Sequence, residues 1–340
     1  MTVTIAELAR MAGVSKTTVS RVINNKPDVD PATRERILEL IATYEFQPNA
    51  FAIAISQQKS RHIGLLIPHE AEYVFSNPFY TEVMRGVSTE VDTQDYYLVM
   101  CYAHEVNYLD IYKQKRVDGF VLLSPGSFHH HIIHSLNTIS VPFVSTAKIV
   151  EEEGMVYVDV DNFYGATLVV EHLIDLGHRR IAYIGKPTLQ SSIDRLNGYR
   201  SVLHKYSLPN DPSLELVVDT SSAERGHDYT LELLRKPHPP SAIVLANDVL
   251  ALGALQAIQE TGRRVPEDIS VTGFDDIPFA RYAHPPLTTV RQPAYEKGVQ
   301  AARTLIQLLE QKTPPQSSIL PVELIVRAST GPAPSRLASL

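Results

Sequence analysis

The chain has 340 residues, more than one compact core needs, so at least two domains are expected. It is 44% hydrophobic and 20% charged, with one cysteine (Cys101) and no apolar run near the roughly 18–20 residues of a membrane helix. That composition excludes a membrane-helix protein, a disulfide scaffold and a multi-cysteine zinc fold. The net charge of −7 is uneven: residues 1–61 carry eight Lys/Arg against six Asp/Glu, the remainder 23 against 32, so only the N-terminal segment is expected to meet a polyanion. No basic stretch followed by an apolar one opens the chain, and a cytosolic protein is expected.

Thr4-Ile5-Ala6-Glu7 has the spacing of a capping box, so a helix starts near Ile5, with Ile5, Leu8 and Ala9 as its apolar stripe. Gly13 ends it. Ser15 then caps a second short helix from Lys16 to about Asn24, with Val19, Val22 and Ile23 facing inward. Asp30-Pro31 starts a third, carrying Ile37, Leu40, Ile41 and Tyr44. Two short helices joined by Ala12-Gly13-Val14-Ser15, closed by a third, form a helix-turn-helix. The outer face of the second helix holds Lys16, Thr17, Ser20 and Arg21, side chains that read base edges or grip phosphates. A helical hairpin with a solvated polar face has the same local pattern, so this reading needs support from the rest of the chain.

From His62 onward, short apolar runs alternate with helical patterns. Strands are expected at 63–67, 97–101, 119–123, 143–145, 156–158, 181–184, 242–245 and 269–273, with helices at 80–92, 165–176 and 249–261 among others. Such alternation means βαβ units and parallel sheet, and about 280 residues of it fit two sheets better than one. Ligands in these folds bind at the carboxyl ends of the strands. Those ends carry Asn77-Pro78-Phe79-Tyr80, then Lys148, Asp159 and Asp161, Ser191 and Arg195, Asn247-Asp248, and Asp275-Asp276. Asn, Asp and Arg beside aromatic rings suit a polyhydroxylated ligand, giving paired donors and acceptors for hydroxyls and flat faces for C–H surfaces. Singly, Asx residues at strand ends are ordinary caps and turn formers. Their recurrence in both halves points to a site.

The strings Thr4-Ile5-Ala6-Glu7-Leu8-Ala9, Ala12-Gly13-Val14-Ser15-Lys16-Thr17-Thr18-Val19-Ser20-Arg21-Val22-Ile23-Asn24 and Pro48-Asn49 resemble the N-terminus of the lactose-repressor/galactose-repressor family. Arg116-Val117-Asp118-Gly119, Leu176-Gly177-His178-Arg179, Arg195 with Gly198-Tyr199, Gly273-Phe274-Asp275 and Leu287-Thr288-Thr289-Val290 before Gln292-Pro293 extend the resemblance over essentially the whole chain. It implies an all-α helix-turn-helix head (1–48), a hinge helix and linker (49–61), and an α/β body (62–340). The body would have two Rossmann-like lobes of periplasmic-binding-protein type, with three crossovers and a cleft between them. The resemblance puts Lys16, Thr17 and Arg21 on bases and Thr18, Ser20 and Asn24 on phosphates, with Ser15 as a further DNA contact. Asn49, Ala52 and Ile55 would be the hinge's DNA contacts, Ile55 as an apolar wedge in the minor groove. Ile53 stands where the family often has arginine, and Phe51, Ile53 and Ile55 are expected to pack in a dimeric hinge.

Effector contacts carry over to Asn77, Phe79, Tyr80, Asp161, Arg195, Asn247, Asp275 and Gln292, and Lys148 and Ser191 join them from the strand-end reading. Sugar-binding relatives often have an acidic then a basic residue after the 143–145 strand, where this chain has Ala147-Lys148. The implied function is a ligand-responsive transcription regulator: a repressor that binds a palindromic double-stranded operator as a homodimer and answers to a small sugar or sugar derivative. A purine or other non-sugar corepressor, a sugar-binding transport component and a sugar enzyme are the competing readings. No Walker A, G-x-G-x-x-G or G-x-S-x-G string occurs, and adjacent Asp275 and Asp276 on an extended segment point oppositely. Neither enzyme activity nor a cofactor is expected. His129-His130-His131 with His134 lacks a matched carboxylate or cysteine, so these are read as surface histidines rather than a metal site.

Overall fold

The computed structural model describes residues 3–46, 59–104, 107–126, 129–149, 154–311 and 316–334. The chain forms two compact units that divide between Arg61 and His62. In the first, helices α1 (Ile5–Ala12), α2 (Lys16–Ile23) and α3 (Pro31–Thr43) enclose a small core of Leu8, Ala9, Ala12, Val19, Val22 and Ile37. Local hydrogen bonds set each helix start. The Glu7 N–H donates to Thr4 Oγ1 at 3.3 Å while the Thr4 N–H donates to the Glu7 carboxylate at 2.8 Å, completing the capping box. Ser15 Oγ accepts the Thr18 N–H at 3.1 Å, and Asp30 caps α3 ahead of Pro31. Gly13, at φ 66°, takes the left-handed conformation that stops α1.

The second unit holds two lobes. In the first lobe, β1 (His62–Ile67), β2 (Tyr97–Tyr102), β3 (Gly119–Leu122) and β4 (Phe143–Ser145) form a parallel sheet in the order β2-β1-β3-β4. Helices α4 (Ala71–Ser76), α5 (Pro78–Thr93), α6 (Tyr108–Lys113) and α7 (His130–Thr138) connect its strands. Strand β5 (Val158–Val160) leads into the second lobe, which contains α8 (Asn162–Asp175), β6 (Ile181–Gly185), α9 (Gln190–Lys205), β7 (Glu215–Val217), α10 (Ala223–Leu234), β8 (Ala242–Leu245), α11 (Asp248–Glu260), β9 (Ser270–Asp275) and β10 (Thr288–Arg291). The chain then returns through α12 (Ala294–Leu309), which packs on α5, β3 and β4. Strand β11 (Ser318–Leu320) pairs with β5, and β12 (Glu323–Ile325) joins β10 antiparallel, giving the order β12-β10-β9-β8-β6-β7. The chain thus passes between lobes three times.

Strand interiors such as Ile63, Leu65, Ile243 and Val271 are fully buried, as parallel sheet covered on both faces requires. Two helix pairs meet backbone to backbone at glycines. A Cβ at Gly86 of α5 would overlap the Tyr295 carbonyl, and one at Gly298 of α12 the Val83 carbonyl. Gly226 of α10 and Gly253 of α11 have the same relation to the carbonyls of Leu250 and Ala223.

Three expectations need correction. The strand placed at 156–158 lies two residues later, because its register is set by pairing with β11 rather than by the local apolar run. Strands β7, β10, β11 and β12 fall outside the expected set: β7, β11 and β12 are only partly buried and β10 reads Thr-Thr-Val-Arg, so none is a continuous apolar run. His129 is buried rather than at the surface: its Nδ1 accepts the Gly126 N–H at 2.9 Å and its ring lies edge-on to His69, 5.2 Å between centroids. His131 and His134 are exposed. No described helix is long and apolar enough to cross a membrane.

Candidate functional site

On α2, Val19 and Val22 face the core, which turns Lys16, Thr17 and Arg21 to solvent. Arg21 pairs with Asp28 at 3.1 Å, both side chains about half exposed. Solvent screening makes such a pair worth little, so the guanidinium is readily exchanged to another acceptor. Ser15, Thr18, Ser20 and Asn24 hold the helix ends together: the Ser15 and Thr18 hydroxyls lie 2.9 Å apart, and Asn24 Nδ2 donates to Ser20 O at 2.8 Å and Ser20 Oγ at 3.3 Å. Asn49, Ala52 and Ile55, with Phe51 and Ile53, lie outside the described residues.

In the body, a cleft opens between the lobes at the carboxyl ends of the strands. Its narrow centre, about 50 Å³, is lined by Asn77, Phe79, Tyr80, Ser191, Arg195, Asn247, Asp275 and Gln292 among others. These are eight of the ten expected effector contacts. The centre widens past Tyr73, Ser192 and Ser221 into a mouth of about 320 Å³, and past Phe79 and Asp275 into another of about 380 Å³. Asn77 and Asn247 line the cleft and also cap helices, accepting the N–H groups of Phe79 at 3.0 Å and Leu250 at 2.9 Å. The capping and lining roles coincide.

Lys148 and Asp161 are not brought to the cleft centre; both are exposed. Asp161 Oδ1 caps α8 by accepting the Tyr164 N–H at 2.8 Å. Asp159, in the middle of β5, lines the cleft instead, and its Oδ2 accepts the Lys148 backbone N–H at 2.9 Å. A carboxylate thus does stand next to Lys148, supplied by the neighbouring strand rather than by position 147.

Arg195 is buried. Its Nε donates to Asn162 Oδ1 at 2.9 Å, its Nη1 donates to Ala246 O at 2.6 Å and faces Asp275 Oδ1 at 3.5 Å, and its guanidinium stacks 3.6 Å over the Phe274 ring. Asp275 sits at φ 121°, uncommon for a residue with a side chain, and Gln292 Nε2 donates to its Oδ1 at 2.6 Å. Burial pushes the Asp275 carboxyl up to about 6, against the pull of Arg195, Gln292 and Lys297. Asp276 turns the other way, to Arg291 at 2.8 Å and Arg327 at 2.6 Å. Below them Asp248 is completely buried, accepting from Thr289 Oγ1 and the Ile277 N–H, and burial raises its carboxyl well above the ordinary range.

Lys297 is the main cleft residue that sequence reasoning misses. It is 3% exposed, and its Nζ donates to Asp159 Oδ1 at 2.9 Å and Gln292 Oε1 at 3.3 Å, lying 5.5 Å from the Phe79 ring centre. Aromatic rings cluster beside these groups. The rings of His69, Tyr73 and Tyr80 lie 5.6–5.9 Å apart, and His69 Nε2 donates to Ser124 O at 2.8 Å. Burial lowers His69 and takes His129 behind it down to about 4, so both rings are neutral near pH 7. Fixed charges together with neutral rings suit a ligand that offers both hydroxyls and an apolar face.

Residues 4–49 match the bacterial regulatory proteins, lacI family, and residues 170–330 match the periplasmic binding protein-like domain. The chain is 34% identical to the HTH-type transcriptional regulator DegA of Bacillus subtilis, with 98% of this chain and 99% of that one covered. The solved complex of the transcriptional regulator CelR with cellobiose is similar at a TM-score of 0.74 and 33% identity, covering 96% of this chain and 99% of CelR. The lac repressor dimer bound to operator and an anti-inducer gives 0.82 at 27% identity, covering 97% and 100%. The chain belongs to the lacI family of bacterial regulatory proteins: it is a DNA-binding, ligand-responsive transcription regulator, not an enzyme.

Proposed function

We propose that this regulator is a repressor that binds a palindromic operator as a homodimer, reading bases with Lys16, Thr17 and Arg21, and that a small sugar or sugar derivative held between the lobes controls it. The observation that carries the effector reading is the buried Arg195–Asp275 pair within the same cleft as Phe79. A guanidinium and a carboxylate engage neighbouring hydroxyls in pairs, and an aromatic ring covers the C–H face of a sugar. CelR, solved with cellobiose, and the lac repressor, solved as a dimer on operator, support the reading. The effector acts by favouring one arrangement of the lobes, and its coupling to DNA affinity is expected at about 1–3 kcal/mol.

Titration of a palindromic operator tests both halves. Affinity should fall steeply from low to physiological salt, because phosphate contacts release counterions. Arg21→Ala should weaken operator binding by about 1–3 kcal/mol and keep the thermal shift produced by sugar; Arg195→Ala should lose that shift. Salt-independent affinity would remove Lys16 and Arg21 from the DNA contact. A thermal shift with a purine base and with no sugar would keep the regulator and change its effector class.

A further inference from the structure

Six buried side chains at the cleft close a circuit of hydrogen bonds and one ion pair that joins α12 to the second lobe. Lys297 Nζ donates to Asp159 Oδ1 at 2.9 Å, and Asn162 Nδ2 reaches the same oxygen at 3.4 Å. Arg195 links Asn162 at 2.9 Å to Asp275 at 3.5 Å, and Gln292 links Asp275 at 2.6 Å back to Lys297 at 3.3 Å. The circuit holds two cations and two carboxylates, each cation beside one carboxylate. Four donors hold Asp159, since its Oδ1 also accepts the Val160 N–H and its Oδ2 the Lys148 N–H. The polar atoms left over include the third Lys297 N–H, the Arg195 Nη2 N–H pair, the second Gln292 Nε2 N–H and Asp275 Oδ2. None has a hydrogen-bond partner among the described residues.

Resting on the effector reading above, we propose that Lys297 is a specificity-determining residue of the cleft: it donates to an oxygen of an effector lying on Phe79, and that effector is an uncharged sugar rather than a phosphorylated or acidic one. Charge decides the second part. Both cations already have counter-ions, so a phosphate or carboxylate would bring unbalanced charge into a site shielded from water. A hydroxylated ring needs donors and an acceptor at fixed positions, and the circuit supplies them. Asp159 and Gln292 hold the ammonium in place, so little side-chain freedom is lost when a ligand accepts its remaining proton.

The test follows thermal denaturation of the full chain with glucose, galactose, ribose and cellobiose, and with glucose 6-phosphate and glucuronate. Lys297→Met alone strands a buried carboxylate, so the informative variants change the pair together: Lys297→Met/Asp159→Asn, and Lys297→Gln/Asp159→Asn, which keeps a donor. At least one neutral sugar should shift the wild type more than either anionic probe. The Met pair should fold yet bind that sugar at least tenfold more weakly, with the Gln pair recovering most of the loss. Tighter binding of an anionic probe overturns the charge argument. Unchanged binding in the Met pair, or equal weakness in both pairs, overturns the role of Lys297. The regulator reading survives all three results. Silence from all six probes overturns the sugar reading itself, and this proposal with it.

Discussion

The head and the body set their functional side chains in opposite surroundings. Lys16, Thr17 and Arg21 stand in solvent, and the ion pair that Arg21 makes is half exposed. Arg195, Asp275, Asp159 and Lys297 are almost fully enclosed and tied to one another. The ligands explain the contrast. A polyanion is held largely by charge and counterion release, which requires exposure and no prior commitment. A small hydroxylated molecule is held by short directional bonds, which require groups fixed in place, and fixing them calls for burial and pairing. Function and stability are therefore separable at Lys16, Thr17 and Arg21 of the head and joined in the body.

Four measurements press on that difference. The largest effect is expected for Asp275→Ala, which leaves Arg195 buried without its counter-ion; denaturant melts should show a loss of about 3–5 kcal/mol together with loss of the sugar response. A melt within 1 kcal/mol of wild type would mean that the body separates the two properties as the head does. Acid comes next and acts on the body. His178 is enclosed by Ser241, Ser270 and Gly331, and burial takes both it and His129 down to about 4. The unfolded histidines bind protons near 6.5, so stability present above that pH should drain away as pH falls toward 4. Asp275 works with the opposite sign: its raised carboxyl contributes stability below the ordinary carboxylate range that is lost as pH rises through about 6. Melts from pH 7 to 4 on wild type and His178→Asn should show a shallower acid loss in the variant.

In the head, Arg21→Ala should cost about 1–3 kcal/mol of operator affinity, read by titration, while shifting the melt by less than about 0.5 kcal/mol. Ser15→Ala has the smallest expected effect. It removes an N-cap and should lower stability by about 1 kcal/mol, a value that sharpens how far capping alone supports so small a core.

Signals that act over three or four residues were legible in the sequence. The Thr4–Glu7 box, the Ser15 cap, Gly13 and Asp30-Pro31 all read correctly because both partners of each bond lie close in the chain. Strand-end Asn77, Asn247 and Asp275 were legible through the rule that parallel strands gather their carboxyl ends. Lys297 was not, because a lysine in the first turn of an amphipathic helix reads as solvated, and its partner Asp159 lies 138 residues away. The strand-end rule offers Asp159 and Asp161 alike and the resemblance singles out Asp161; Asp159 takes the cleft through its bond to Lys297, which no local pattern announces.

The glycine contacts bear on how the body moves. Where α5 meets α12 and α10 meets α11 at these glycines, backbone touches backbone and no side chain stands between them. Each of these contacts sets the spacing of its helix pair, while the lobes are joined to one another through three connections. Helix α12 begins directly after one of them and runs for 16 residues, about 24 Å. It acts as a lever clamped to the first lobe, so a small torque at Gln292 reaches that lobe without being dissipated in repacking.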